Sequence, residues 1–260
     1  MYGRKRHFSK SIFVFLVIFI LWSVITLGTD LIPALFVPSP LDIIGALSGM
    51  QDYVFKAIFF SLGLTLSGFG IGMLIGILLG LAIAYSRNFM EIVGPVMEFT
   101  RPVPIFALIP LFLLWFGVGI LPQIVLIALG VSTVLGVTTY EAVRNMPSVY
   151  VRAAQNLGAD KKQIFRTVVI PYITPHLIGA IRVAAGTSWG LNVAAEFMGS
   201  QVGLGFHMIV HQIYLDTAGI IAIIFIYSIL AIGLDQIIQK IEVRITHWTE
   251  RSSFSFEKVK

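Results

Sequence analysis

"VRAAQNLGADKKQIFRTVVIP", residues 151–171, decides the fold. Charged and polar residues stand there at helical spacing, inside a chain of which 57% is hydrophobic and only 12% charged. A water-soluble domain carries about a quarter charged residues. The surroundings therefore read as lipid-embedded, and the stretch as a polar hairpin between spans. Ala153, Ala154 and Leu157 give a short helix with a small, weakly apolar face, and Gly158 follows as the left-handed stop. Asp160 caps a second helix with Gln163 three residues on; Ile164, Phe165, Val168 and Val169 form its apolar face, which leads to Pro171. The stretch from about 148 to 168 reads as helix, tight turn and helix, held against the inner membrane surface with a small-residue knuckle outward. Such a knuckle suits insertion into a groove on another protein.

Working outward, six apolar runs stand at roughly 12–28, 57–84, 93–116, 120–141, 172–197 and 218–239. Each is near or above the ~20 residues that cross a ~30 Å hydrocarbon core. The expected fold is all-α: one polytopic membrane domain over 1–260 with about six transmembrane helices. The basic, apolar start "MYGRKRHFSKSIFVFLVIFILWSVITLG" has the outline of a signal peptide. Its apolar run is long and no small-x-small cleavage site follows, so it reads as a retained first span. With the N-terminus inside, the inner segments hold fifteen of the 18 Lys and Arg. The outer segments hold only Lys56, and Arg101 and Arg182 fall within spans. Both termini and the hairpin are thus expected in the cytoplasm. The net charge of +5 reports topology and no nucleic-acid partner, because the basic residues are scattered over separate segments. The absence of cysteine excludes disulfides and thiolate metal sites. No cofactor and no metal are expected.

Local signals refine this picture. In "VPSPLDII", residues 37–44, Ser39 is an N-cap, Pro40 the first helical residue and Asp42 the third, which predicts a short helix on the outer surface. Gly68, Gly72, Gly76 and Gly80 form a small-residue ridge for close helix packing, with a glycine-lined hinge or pore surface as the alternative. Pro102 and Pro104 predict a break in the third span. Ionisable residues within spans are costly and are paired or functional. Glu98 and Arg101, three apart, are placed to pair; Arg182, Glu196 and Asp235 are candidates for pairing between helices or for a gate.

Other strings carry less. "GTSWG" at 186–190 matches G-x-S-x-G but lies in an apolar helical run, where the strand-to-helix elbow of a hydrolase has no place. "HMIVH" at 207–211 has zinc-helix spacing, yet Met208 stands where the general base would be, so both histidines read as surface groups. There is no P-loop.

Ala153, Ala154, Gly158 and "VVIP" ending at Pro171 resemble the E-A-A-x3-G-x9-I-x-L-P signature of ABC importer permease subunits. The chain departs from it at Arg152, where the family has Glu, and at Val168 and Ile170 for Ile and Leu. "VPSPLDII", "RPVPIFALIPLFLLWFGVG", "AAEFMGSQVGLG" and "EVRITHW" extend the resemblance over nearly the whole chain, to the nitrate, sulfonate, taurine and bicarbonate branch. The resemblance implies a type I importer permease in the bacterial inner membrane. The hairpin would be its coupling helix, with Arg152, Ala153, Ala154, Leu157, Gly158, Asp160 and Pro171 as the ATPase-coupling residues. Implied partners are two ATPase subunits, a second permease copy and an extracytoplasmic substrate-binding protein. ATP hydrolysis would belong to the ATPase, so the chain itself is no enzyme. The implied cargo is a small anion such as a sulfonate, taurine, nitrate or bicarbonate. A neutral heterocyclic vitamin precursor stays open, as do a secondary transporter and, on Ser188 alone, an intramembrane hydrolase.

The asymmetry of Lys and Arg gives a direct expectation. Topology reporters fused after Met146 read cytoplasmic, and reporters fused near Asp52 or Gln201 read external. An external reading at Met146 contradicts the assignment.

Overall fold

The computed structural model describes residues 2–28, 33–100 and 102–246, with side chains in the first helix from Phe13 onward. These residues are nearly all helical, and no strand occurs among them. In hydrocarbon a segment must satisfy its own backbone N–H and C=O groups, and a helix does so. The helices are α1 (Tyr2–Gly28), α2 (Pro40–Gly49), α3 (Gln51–Tyr85), α4 (Arg87–Thr100), α5 (Ile109–Phe116), α6 (Ile120–Arg144), α7 (Ser148–Asn156), α8 (Lys161–Ile164), α9 (Ile170–Glu196), α10 (Leu204–Ile213) and α11 (Thr217–Ile245).

Among the described residues four helices, Gln51–Tyr85, Ile120–Arg144, Lys161–Glu196 and Thr217–Ile245, are long and apolar enough to cross a membrane. A fifth candidate is a broken pair, Asn88–Thr100 and Ile105–Phe116, bent by 92°. The break expected in the third span, 93–116, is thus present in its middle. Pro102 and Pro104 account for it: neither donates a backbone N–H, and Val103, the residue before Pro104, is pushed out of the helical region. The part of α1 whose side chains are described, Phe13–Gly28, is apolar over most of its length.

The second helix of the hairpin also differs from expectation. It does not stop before Pro171 but runs into α9 through a widened π turn, Phe165–Val169. Ile170 N–H donates five residues back, to the Phe165 carbonyl. Pro171 has no N–H for the ordinary i−4 bond and its ring would crowd that carbonyl, so a wider turn just ahead of it keeps the helix unbroken.

The described residues form two compact units, one from the stretch up to Ser61 with Gly199–Ile229, the other from Leu62–Met198 with the stretch after Leu230. In the first unit, Ser39 and Asp42 make the expected capping box on α2. Two hydrogen bonds of 2.8 Å, from the Ser39 N–H and hydroxyl, hold the Asp42 carboxyl below the usual carboxylate range. The Trp22 indole N–H donates to the Pro38 carbonyl at 3.2 Å, and the Leu204 N–H at the start of α10 donates to the Ser61 hydroxyl at 2.9 Å.

The second unit is organised by the glycine ridge of α3. All four glycines are buried. A Cβ at Gly72 would lie 2.5 Å from the Ala128 carbonyl oxygen, at Gly76 2.7 Å from that of Ser132, and at Gly80 2.6 Å from that of Gly136. At Gly68 it would meet Ile127 Cβ at 2.6 Å. The two helices therefore touch backbone to backbone, the approach on which association without a hydrophobic driving force relies. Gly130, on another face of α6, receives the Leu191 side chain of α9.

Replacing Gly72 by Leu is expected to lower the melting temperature of the purified protein, because overpacking costs about 1–3 kcal/mol or more. Gly70→Leu, at a glycine with nothing within 4 Å of its Cβ position, serves as the control. Equal melting temperatures for the two variants contradict the packing.

Candidate functional site

The knuckle is built from its last turn. Gly158 sits at φ +81, and the chain closes α7 with both bonds of a Schellman stop. Ala159 N–H donates to the Ala154 carbonyl at 3.0 Å and Gly158 N–H to that of Gln155 at 2.9 Å. No atom lies within 4 Å of a Cβ placed at Gly158. Its glycine therefore serves the backbone and not close packing; an L-residue costs about 1 kcal/mol there. Asp160 and Gln163 then form a reciprocal capping box that starts α8, with bonds of 2.7 and 2.8 Å.

The two faces of α7 differ from the sequence expectation in one respect. Ala154 is half-buried and packs with Val151 and Ala159 against the buried cluster of Ile164, Val169 and Ile173. It belongs to the hairpin's own core, because at helical spacing it falls on the face of Val151 and not on that of Ala153. The outward face is Val149, Ala153 and Leu157, each four residues from the next, with Arg152 beside it. Leu157 is 88% exposed and Val149 62%. This stripe is more apolar than a small-residue knuckle, and Val149 was legible as its first member from the four-residue spacing. The same core cluster packs with Leu81 of α3 and with Ala142 and Val143 of α6, so the hairpin is fastened to the ends of two long helices.

The ionisable residues in spans divide. Arg182 on α9 grips Asp235 of α11 through two hydrogen bonds of 2.8 and 2.9 Å, with Glu242 at 3.5 Å. Glu242 stands seven residues, two turns, beyond Asp235, a spacing by which the sequence already placed both acids on one helix face. Glu196 ends α9 fully buried. Glu98 lines a cavity of about 160 Å3 with Tyr140, Glu141 and Arg144. Its expected partner Arg101 lies outside the described residues. Ser188 is buried, and its hydroxyl donates to the Ala185 carbonyl at 2.7 Å, an arrangement for helix packing and not for nucleophilic attack.

The two histidines of "HMIVH" are not the surface groups expected. His207 stacks on the Tyr53 ring at 3.9 Å, and burial with His211 nearby pushes its imidazole below the ordinary value. His211 lies between the Tyr53 hydroxyl, 2.9 Å from Nε2, and Asp216, 2.8 Å from Nδ1. Asp216 also accepts from the Gly219 N–H at 2.9 Å and so caps the start of α11. Sequence reading missed this network because its members are 158 residues apart. Among the described residues no group of three or more His, Asp or Glu is placed to hold a metal ion.

Comparison with known proteins places this geometry. Residues 72–247 match the family model described as "Binding-protein-dependent transport system inner membrane component". The taurine transport system permease protein TauC of Escherichia coli is 31% identical over 87% of this chain and 84% of its own. The putative aliphatic sulfonates transport permease protein SsuC of Bacillus subtilis is 30% identical over 95% and 90%. The formylaminopyrimidine transport permease protein ThiX of Halalkalibacterium halodurans is 27% identical over 82% and 86%. In fold the chain is similar to a chain of the inward-facing MetNI methionine ABC transporter, with a TM-score of 0.61 at 22% identity over 78% of this chain and 99% of that one. The family model covers more than half of the chain, and the chain belongs to the family of binding-protein-dependent transport system inner membrane components.

Proposed function

We propose that this chain is the permease subunit of an ATP-driven importer, and that α7 with its glycine stop is the element that docks on a separate ATPase subunit. The observation that carries this reading is the exposed stripe of Val149, Ala153 and Leu157 on a helix whose other face is packed into the transmembrane unit. Leu157 is 88% exposed on the turn that ends α7. It gains about 1.5–3 kcal/mol when a partner buries it. Hydrolysis of ATP belongs to that partner, since the sequence has no P-loop. Two ATPase subunits, a second permease copy and an extracytoplasmic binding protein complete the assembly, in a bacterial inner membrane with both termini cytoplasmic.

The cargo is a small anion of the sulfonate or taurine kind, supported by relatives whose printed names are taurine and aliphatic sulfonate permeases. A second reading, a neutral heterocycle, is favoured by the formylaminopyrimidine relative alone. Closure of the ATPase pair would push the docked knuckle, and the cluster behind it would carry the push into α3, α6 and α9, a rigid-body change.

Leu157→Asp and Ala153→Asp are expected to leave a folded, membrane-inserted chain that has lost its ATPase. For Leu157 the lost burial of about 2 kcal/mol corresponds to more than about tenfold in affinity. Co-purification of the ATPase and substrate-stimulated hydrolysis in vesicles measure both effects. Wild-type values in both variants contradict the docking assignment. Uptake of labelled taurine, with competition by an aliphatic sulfonate or by a neutral pyrimidine, separates the two cargo readings.

A further inference from the structure

The inward side of the hairpin borders an open groove of about 480 Å3, distinct from the outward stripe. Such a volume lies within the ~300–1,000 Å3 of sites that hold small ligands. Its floor is apolar, formed by Ile164, Phe165 and Val169 together with residues at the ends of α3 and α6. Its rim carries Arg152 and Lys161, and none of the described residues lining it is acidic. Lys161 Nζ stands 4.5 Å over the Tyr85 ring, and that ring meets Phe165 edge-on at 5.1 Å, so the cation is held at one end of the apolar wall.

We propose that this groove binds one anionic phospholipid of the cytoplasmic leaflet, its phosphate between Arg152 and Lys161 and an acyl chain along Ile164, Phe165 and Val169. Position and charge select that occupant. The groove lies beside Tyr85 and Val143, at or near the last residues of α3 and α6, the end that the Lys and Arg asymmetry puts on the cytoplasmic side. A tyrosine at that helix end and a pair of cations over an apolar wall match a ligand with an anionic head and a greasy tail. The long stems of Lys161 and Arg152 reach the headgroup level while covering apolar surface. A water-soluble anion would leave the wall uncovered. A bound lipid would brace α7 from behind and tie its stiffness to membrane charge. The proposal rests on the cytoplasmic placement of the hairpin; its test reads binding and not transport, so it fails or stands apart from the docking assignment.

The chain has no cysteine, so a single reactive site can be introduced. Ser148→Cys on the groove, with Gln155→Cys as a second position, carries a benzophenone label. The full-length chain, expressed with its cognate ATPase, is placed in nanodiscs of mixed phosphatidylcholine and phosphatidylglycerol, irradiated, and its adducts are weighed by mass spectrometry. Phosphatidylglycerol adducts are expected several-fold above their share of the bilayer. The enrichment falls to the bulk ratio in Arg152→Gln/Lys161→Gln and persists in Arg152→Lys/Lys161→Arg. Adducts that follow the bulk ratio at both label positions in the unsubstituted background overturn the proposal, as annular lipid would. Cross-links to the ATPase or to a second copy of the chain overturn it equally, since the groove is then a protein interface.

Discussion

The structure depends on the backbone contact between α3 and α6. Four glycines at every fourth position of α3 bring the carbonyls of Ala128, Ser132 and Gly136 within 2.5–2.7 Å of where side chains would begin. Water drives no association between apolar helices within lipid, and close van der Waals contact takes its place. Gly130 on α6 then admits Leu191 of α9. Three helices are thereby held at separations that small residues set, and each change of a ridge glycine acts on all of them.

The hairpin inherits this rigidity. Ile164, Val169 and Ile173 pack with Leu81 of α3 and with Ala142 and Val143 of α6, while the π turn before Pro171 makes α8 and α9 one continuous rod. Leu157 is joined to α8 only through the short turn at Gly158, which the two Schellman bonds close, and the cluster behind it meets three long helices. The ion pair of Arg182 with Asp235 joins α9 to α11 in the same unit. Each of these charges is matched by the other across the two helices, as ionisable residues within spans require.

Much of this was legible in the sequence, for definite physical reasons. The glycine ridge, the Ser39 and Asp160 caps, the turn at Gly158 and the break at Pro102 and Pro104 are local devices, each written in residues no more than four apart. The orientation of Ala154 was not legible, because spacing groups it with Val151 but does not say which face of α7 turns inward; the packed cluster decides that. The continuity of α8 into α9 was missed because proline signals a stop, whereas a widened turn relieves the same clash. The network of Tyr53, His207, His211 and Asp216 rests on pairing between distant segments, which periodicity does not encode.

The central claim is that the knuckle and α9 move as one body. Spin labels on Gln155→Cys, on α7 but off the outward stripe, and on Thr187→Cys test it most directly in the cysteine-free chain, by pulsed electron resonance on the complex with its ATPase, labelled copies diluted with unlabelled ones. The account predicts one narrow distance within the chain, the same without nucleotide and with ATP trapped, while hydrolysis remains coupled to uptake. A distance that broadens or shifts when ATP binds, in a complex that still transports, would show a hinge between hairpin and span and contradict it.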